Sequence, residues 1–254
     1  MKIVITNTKG GSSKSTTAFQ VAAAYFLAKK LDVTVYEFDD ENQDSKVFNK
    51  SLIKSEQMMV GDGREISSLI TPIILDKAKN AVLDIGGNKT TTLFIDALKK
   101  SRMSIGIDLF IIPMSGGSQD LQNAKKTYDL IKEFNKPIIF CLSRSRSKPG
   151  DNRIFFQYGK FFSDFKDANY FILQDSDCID LSRMLQKSVF EIAGDKKTKE
   201  SLEGDLVKAF EKDDDKRLTL AQQMIYVSDE SEVFSKECLL PAFKTIDSIL
   251  NAKK

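Results

Sequence analysis

Short, almost unbroken apolar runs alternate along the chain with stretches whose apolar positions recur every three or four residues. The runs at 2–6, 33–38, 81–85, 108–113, 137–142 and 169–174 are rich in β-branched and aromatic residues and predict strands. Runs with no polar face fit a sheet buried on both sides. The expectation is therefore an α/β fold, a mainly parallel sheet with helices on both faces and right-handed crossovers. Residues 16–30 predict a helix carrying Phe19, Val21, Ala22, Tyr25 and Phe26, and a second helix places Leu121, Ala124, Tyr128, Ile131 and Phe134 on one face. The segment 41–72 predicts no clear element. Beyond residue 194 the pattern is helical and charge-rich. Phe234, Cys238, Ala242, Ile246, Ile249 and Leu250 keep helical spacing there, and Pro241 marks a helix break or start. With no internal repeat and no long linker, the expectation is one domain over 1–254, with 193–254 as C-terminal helices.

Composition narrows the chemistry. Hydrophobic residues make up 41% of 254, enough for a sizeable core. The 38 basic and 36 acidic residues leave a net charge of +2, so any nucleic-acid surface must be a local patch. Histidine is absent, which removes His-dependent triads, His–zinc sites and His general bases. Cys141, Cys178 and Cys238 form no CxxC pair, so neither a disulfide framework nor a metal ribbon is expected, and a reducing, cytoplasmic setting is. No apolar run reaches transmembrane length, and Met1-Lys2 leads straight into a strand without a signal-peptide core.

The segment Asn7-Thr8-Lys9-Gly10-Gly11-Ser12-Ser13-Lys14-Ser15-Thr16 lies after an apolar strand and before a helix. In that setting backbone N–H groups and a helix N-terminus cradle phosphate, with Lys14 on the β- and γ-phosphates and the Ser15 hydroxyl on Mg2+. The strict GxxxxGK[ST] pattern fails, because Thr8 and Ser13 occupy its two glycine positions. Lys9 to Thr16 instead resembles KGGxGK[ST]T, the deviant Walker motif of the ParA/MinD ATPases. Only Ser13 departs from it, at a loop position that often takes positive φ, which costs a serine on the order of 1 kcal/mol. The resemblance implies a phosphate-loop fold and ATP as ligand, contacted by Lys9, Gly10, Gly11, Ser12, Ser13, Lys14, Ser15 and Thr16. It also implies that Lys9 reaches across a nucleotide-sandwich homodimer. The bland alternative is a Gly/Ser turn with two solvent lysines.

Two acidic strand ends extend the resemblance. Glu37 and Asp39 match the two acids of the family's D-x-D-P-Q segment, Asp39 as the residue that orients the attacking water. Asp40 and Glu41 replace its proline and glutamine. Ala81-Val82-Leu83-Asp84-Ile85-Gly86-Gly87 matches a Walker B strand and switch, with Asp84 holding Mg2+ through water and the Gly87 N–H near the γ-phosphate. Asp108 to Pro113 resembles the family's next strand, which ends in proline. Ser143-Arg144 stands where the family usually has Asn-Arg beside the base. The resemblance covers about residues 1–192.

The segment 143–153 reads as a basic loop. Its Arg144, Arg146, Lys148 and Arg153, with Arg183 and Lys187 nearby, are candidates for non-specific DNA binding or else a solvated surface. By resemblance, the expected function is ATP-dependent dimerisation and slow Mg-ATP hydrolysis in plasmid partition. A ParB-like or small centromere-binding partner would stimulate it, and the ATP-bound form would associate with the nucleoid. The alternatives are a conjugation or plasmid-stability ATPase, a MinD-like membrane positioning switch and a non-hydrolysing nucleotide-binding scaffold. The last is suggested by Ser13, Asp40 and Glu41. The C-terminal apolar stripe has little basic charge on its polar face, so no stable membrane association is expected.

Overall fold

The computed structural model describes residues 1–38, 47–59 and 66–252. Seven strands form one parallel sheet: β1 (Lys2–Ile5), β2 (Val33–Phe38), β3 (Lys54–Gln57), β4 (Asn80–Ile85), β5 (Leu109–Met114), β6 (Ile138–Ser145) and β7 (Asn169–Gln174). Their order is β3-β2-β4-β1-β5-β6-β7. All six predicted runs are strands. β3 was hidden because its four residues, Lys-Ser-Glu-Gln, form a polar, half-exposed edge strand with no apolar run to betray it.

Alternation along each strand divides the core into two layers. On one face Ile3, Ile5, Val35, Val82, Ile111 and Cys141 pack with Phe19, Tyr25 and the C-terminal helices. On the other, Val4, Phe38, Leu83, Ile85, Ile112 and Phe140 meet Phe94, Leu121, Ile131 and Tyr158. The chain crosses from one side of β1 to the other between β4 and β5. That topological switch point opens beyond the C-terminal ends of β1, β4 and β5, the place where open α/β sheets hold their ligands.

The helix behind the first turn begins as α1 (Lys14–Thr17), widens into a π-helical stretch (Ala18–Ala23) and continues as α2 (Ala24–Ala28). Every residue of the π stretch is buried. At the far end of this helix the Tyr25 hydroxyl donates to Asp247 Oδ1 at 2.8 Å, and Lys29 Nζ lies 2.8 Å from the same oxygen. Asp247 belongs to α11 (Leu240–Asn251), which starts with Pro241 in its first turn, as the sequence allowed. Ala242, Phe243 and Ile246 of α11 are buried in the first core layer, so the stripe weighed as a membrane anchor covers the sheet instead. No helix among the described residues is long and apolar enough to cross a membrane.

All three cysteines are free and buried. Burial pushes the Cys141 thiol up to about 12, and Cys178 and Cys238 to about 11. An acid that ionises less readily folded than unfolded stabilises the neutral-pH fold and gives up that stability as pH rises past its unfolded value. Denaturant unfolding of the wild type should therefore weaken between pH 8 and pH 10. Cys141→Ala should lose less across the same interval, and native protein at pH 8 should leave all three thiols unreacted with Ellman's reagent. Fast labelling of any one would contradict the burial.

Candidate nucleotide site

The loop between β1 and α1 is held by its own polar side chains. Asn7 is fully buried: its Oδ1 accepts from the Lys9 N–H at 2.9 Å and its Nδ2 donates to the Pro113 carbonyl at 2.7 Å, tying the loop to the end of β5. The Thr8 N–H donates to Thr127 Oγ1 at 3.0 Å, and the Ser12 hydroxyl donates to the Lys9 carbonyl at 3.1 Å. Gly11 and Ser13 both have positive φ, 67° and 64°. The serine thus adopts the left-handed conformation expected at that position. Its carbonyl accepts from the Thr17 hydroxyl at 2.8 Å at the helix start.

Two lysines leave this loop in different directions. Lys14 is 7% exposed and its Nζ donates to the Lys9 carbonyl at 3.1 Å, inside the loop. The Lys9 side chain is 33% exposed and pairs with Asp120, which also accepts from the Ser115 hydroxyl. Asp120 sits in the first turn of α5 (Ser118–Ile131) and is buried. No sequence motif singled out Asn7 or Asp120. Asp120 lies 111 residues from Lys9, and only the register of β1 beside β5 brings the two together.

The acidic strand ends converge on the same face. Asp84 is register partner to both Ile5 on β1 and Glu37 on β2. Glu37 and Asp84 are 2% and 3% exposed. Register thus sets two carboxylates side by side in a buried setting. Carboxylate oxygens are donors of the kind magnesium takes. The described residues build no cluster of three or more protein ligands. Magnesium held by one or two carboxylates and the substrate's phosphates needs none. Asp39, with Asp40 and Glu41, lies outside the described residues.

After β4 the chain passes directly under the loop. A Cβ on Gly87 would fall 2.8 Å from the Gly10 nitrogen and 2.9 Å from its Cα, so only glycine fits. Gly87 is the extended residue before α4 (Asn88–Ser101). Next to it, the Asn88 N–H donates to the Thr8 carbonyl at 2.9 Å. Thr91 of α4 closes the junction by donating to the Gly86 carbonyl at 2.7 Å.

The basic segment is less uniform than it reads. β6 continues to Ser145 with a bulge at Arg144, which has φ 55°, so the first three residues of the expected loop are strand. Arg144, Arg146 and Arg153 line a groove of about 750 Å3 with Phe156, which is 91% exposed. Arg153 is held by Asp151 at 2.6 Å, Lys148 pairs with Glu237 at 3.0 Å and Lys187 with Asp195 at 3.1 Å. Among the described residues Arg144 and Arg146 pair with no carboxylate. Arg183 faces a separate cavity that also reaches Arg144.

A parallel sheet with a lysine-bearing loop at its switch point, buried acids beside it and a glycine pressed on its backbone defines a phosphate-loop nucleotide-binding protein. The chain belongs to the CobQ/CobB/MinD/ParA nucleotide binding domain family, which matches residues 3–235. Its fold is similar to apo McdA from Cyanothece (TM-score 0.53, 12% identity, 88% of this chain and 98% of that one). It is also similar to the MinD cell division protein of Aquifex aeolicus (0.52, 16%, 77% and 89%). An ADP-bound nucleotide-binding protein from Archaeoglobus fulgidus gives 0.50 at 14%, covering 72% and 85%. At these identities the likeness is one of fold. No curated protein matches the sequence.

The serine at φ 64° supplies a direct test of the loop. Ser13→Gly should stabilise the protein by about 0.5–1 kcal/mol, since glycine takes this conformation without the Cβ penalty. Thermal unfolding would measure it, and a lower melting temperature would mean the serine side chain supports the loop.

Proposed function

We propose that this protein binds Mg-ATP, dimerises around it, hydrolyses it slowly and thereby drives DNA partition. The observation that carries this reading is the split between the two loop lysines: Lys14 buried inside the loop, Lys9 partly exposed at its rim. A lysine folded into its own loop suits neutralisation of phosphate charge within one subunit. A lysine at the rim, held by a carboxylate it can exchange for phosphate, suits contact with a second subunit's nucleotide.

Bound magnesium would neutralise charge on the β- and γ-phosphates, with Ser15 and Asp84 as its protein oxygens. Gly87 lies close enough to the loop backbone to offer its N–H to the γ-phosphate. Asp39, by family resemblance, orients the attacking water. Phosphoryl transfer depends on positioning and charge more than on a strong base, so a chain without histidine is equipped for it. The partition role, a ParB-like or small centromere-binding activator and nucleoid association rest on the resemblance to the ParA/MinD ATPases. A small DNA-binding protein encoded next door would support them.

The lysines separate dimerisation from binding. Lys14→Ala should lose nucleotide affinity by more than about tenfold, since a charge-assisted phosphate contact is worth roughly 1.5–3 kcal/mol. Lys9→Ala should bind ATP as a monomer and neither dimerise nor hydrolyse. Light scattering and phosphate release would decide it; a Lys9→Ala protein that dimerises and turns over normally would leave a monomeric phosphate-loop protein.

DNA binding should need ATP and fall steeply with salt. Arg146 lines the groove but not the cavity beside the phosphate loop. Arg146→Glu should therefore weaken binding to all duplexes alike, with nucleotide affinity unchanged. Arg153→Glu should matter less, because Asp151 already neutralises Arg153. Fluorescence anisotropy across a salt series would show this, and equal binding by Arg146→Glu would remove the groove as the DNA surface.

A further inference from the structure

Two neighbouring phenylalanines stand exposed at the start of α6 (Ile154–Asp164). Phe155 is 56% exposed but rests on Phe162, with ring centroids 4.9 Å apart. Phe156 is 91% exposed, more than any other large apolar side chain among the described residues. No aromatic ring or cation of those residues stacks on it. Single exposed apolar residues are ordinary on a protein surface. Phe156 differs in its company, because it lines the groove of about 750 Å3 together with Arg144, Arg146 and Arg153.

The ring and the guanidinium groups hang on one rigid junction. Buried Ile154, Tyr158 and Phe161 seat α6 in the second core layer. Gln157, the residue after Phe156, bridges the bulge of β6. Its Nε2 donates to the Arg144 carbonyl at 2.9 Å, and its Oε1 accepts from the Arg146 N–H at 3.0 Å. The Tyr158 hydroxyl donates to the Ser143 carbonyl at 2.6 Å. The strand end that carries both arginines is therefore pinned to the helix start that carries the ring. The lining sets three guanidinium groups against one carboxylate, that of Asp175. Asp151 holds Arg153, which leaves Arg144 and Arg146 for phosphates.

An open ring beside such guanidinium groups is the chemistry that holds unpaired bases. The ring stacks on the face of a base while the guanidinium groups meet the phosphates next to it. A duplex offers the same phosphates. Its base faces are covered by one another, so a ring gains one only by unstacking a step. Resting on the DNA reading above, we infer that the groove takes single-stranded DNA in preference to duplex, with Phe156 as its stacking platform.

The chain has no tryptophan, so Phe156→Trp places its sole indole in the groove. With Mg-ATP present, a single strand should quench that emission, and a duplex of the same length should change it little. By fluorescence anisotropy, wild type should bind the single strand about tenfold more tightly than the duplex, the value of one stacked base. Phe156→Ala should remove that advantage and Phe156→Trp should keep it. Phe156→Ala should also leave duplex affinity and the salt slope unchanged, since stacking releases no counterions. Equal quenching by strand and duplex, no single-strand preference in wild type, or an equal loss for both in Phe156→Ala would overturn the inference. Loss of the ATP dimer in Phe156→Ala, read by light scattering, would assign the ring to a second subunit and overturn it too. The DNA reading survives each of these outcomes as long as Arg146→Glu weakens duplex binding. Wild type that binds neither strand nor duplex would overturn both.

Discussion

One contact constrains the rest of the site: the backbone of Gly87 lies directly on the backbone of Gly10. It couples the ends of β4 and β1 without any intervening side chain. Gly87 leads into α4, and the next N–H, that of Asn88, is already bonded to Thr8. The phosphate loop therefore cannot shift without moving the start of α4. Glu37 and Asp84 reach the same place because register sets them side by side on the face that carries α1. The strand order makes this crowding useful, since β1 in the middle presents its loop where the connections diverge to either side.

Much of this architecture was legible in the sequence, for a physical reason. A strand buried on both faces must be apolar throughout, so six of the seven strands announced themselves. β3, at the edge and polar, had no such obligation. The phosphate loop was legible because strand, loop and helix start occupy contiguous residues, and the left-handed Ser13 follows from its place in the motif. Asp120 and Asn7 were not legible. Their roles arise from contacts to Lys9, Pro113 and the end of β5, which exist only once β1 and β5 are neighbours. The basic segment was misread in part, because Ser143 to Ser145 extend β6 and because Asp151 and Glu237 neutralise two of its four candidate charges.

The π-helical stretch behind the loop has a consequence for how the two ends of that helix are phased. An α-helix turns about 100° per residue, and a π-type widening carries in effect one additional residue over the same rise. Ala18–Ala23 thus rotate everything beyond them relative to an uninterrupted helix. That offset lets Lys14 face the phosphate loop while Tyr25 and Lys29 face Asp247 on α11. Removing one residue from the stretch would relax it to regular geometry and swing the distal face by about a quarter turn. The helix works as a keyed shaft, in which a buried π-helical segment sets the angle between the phosphate-loop end and the C-terminal buttress.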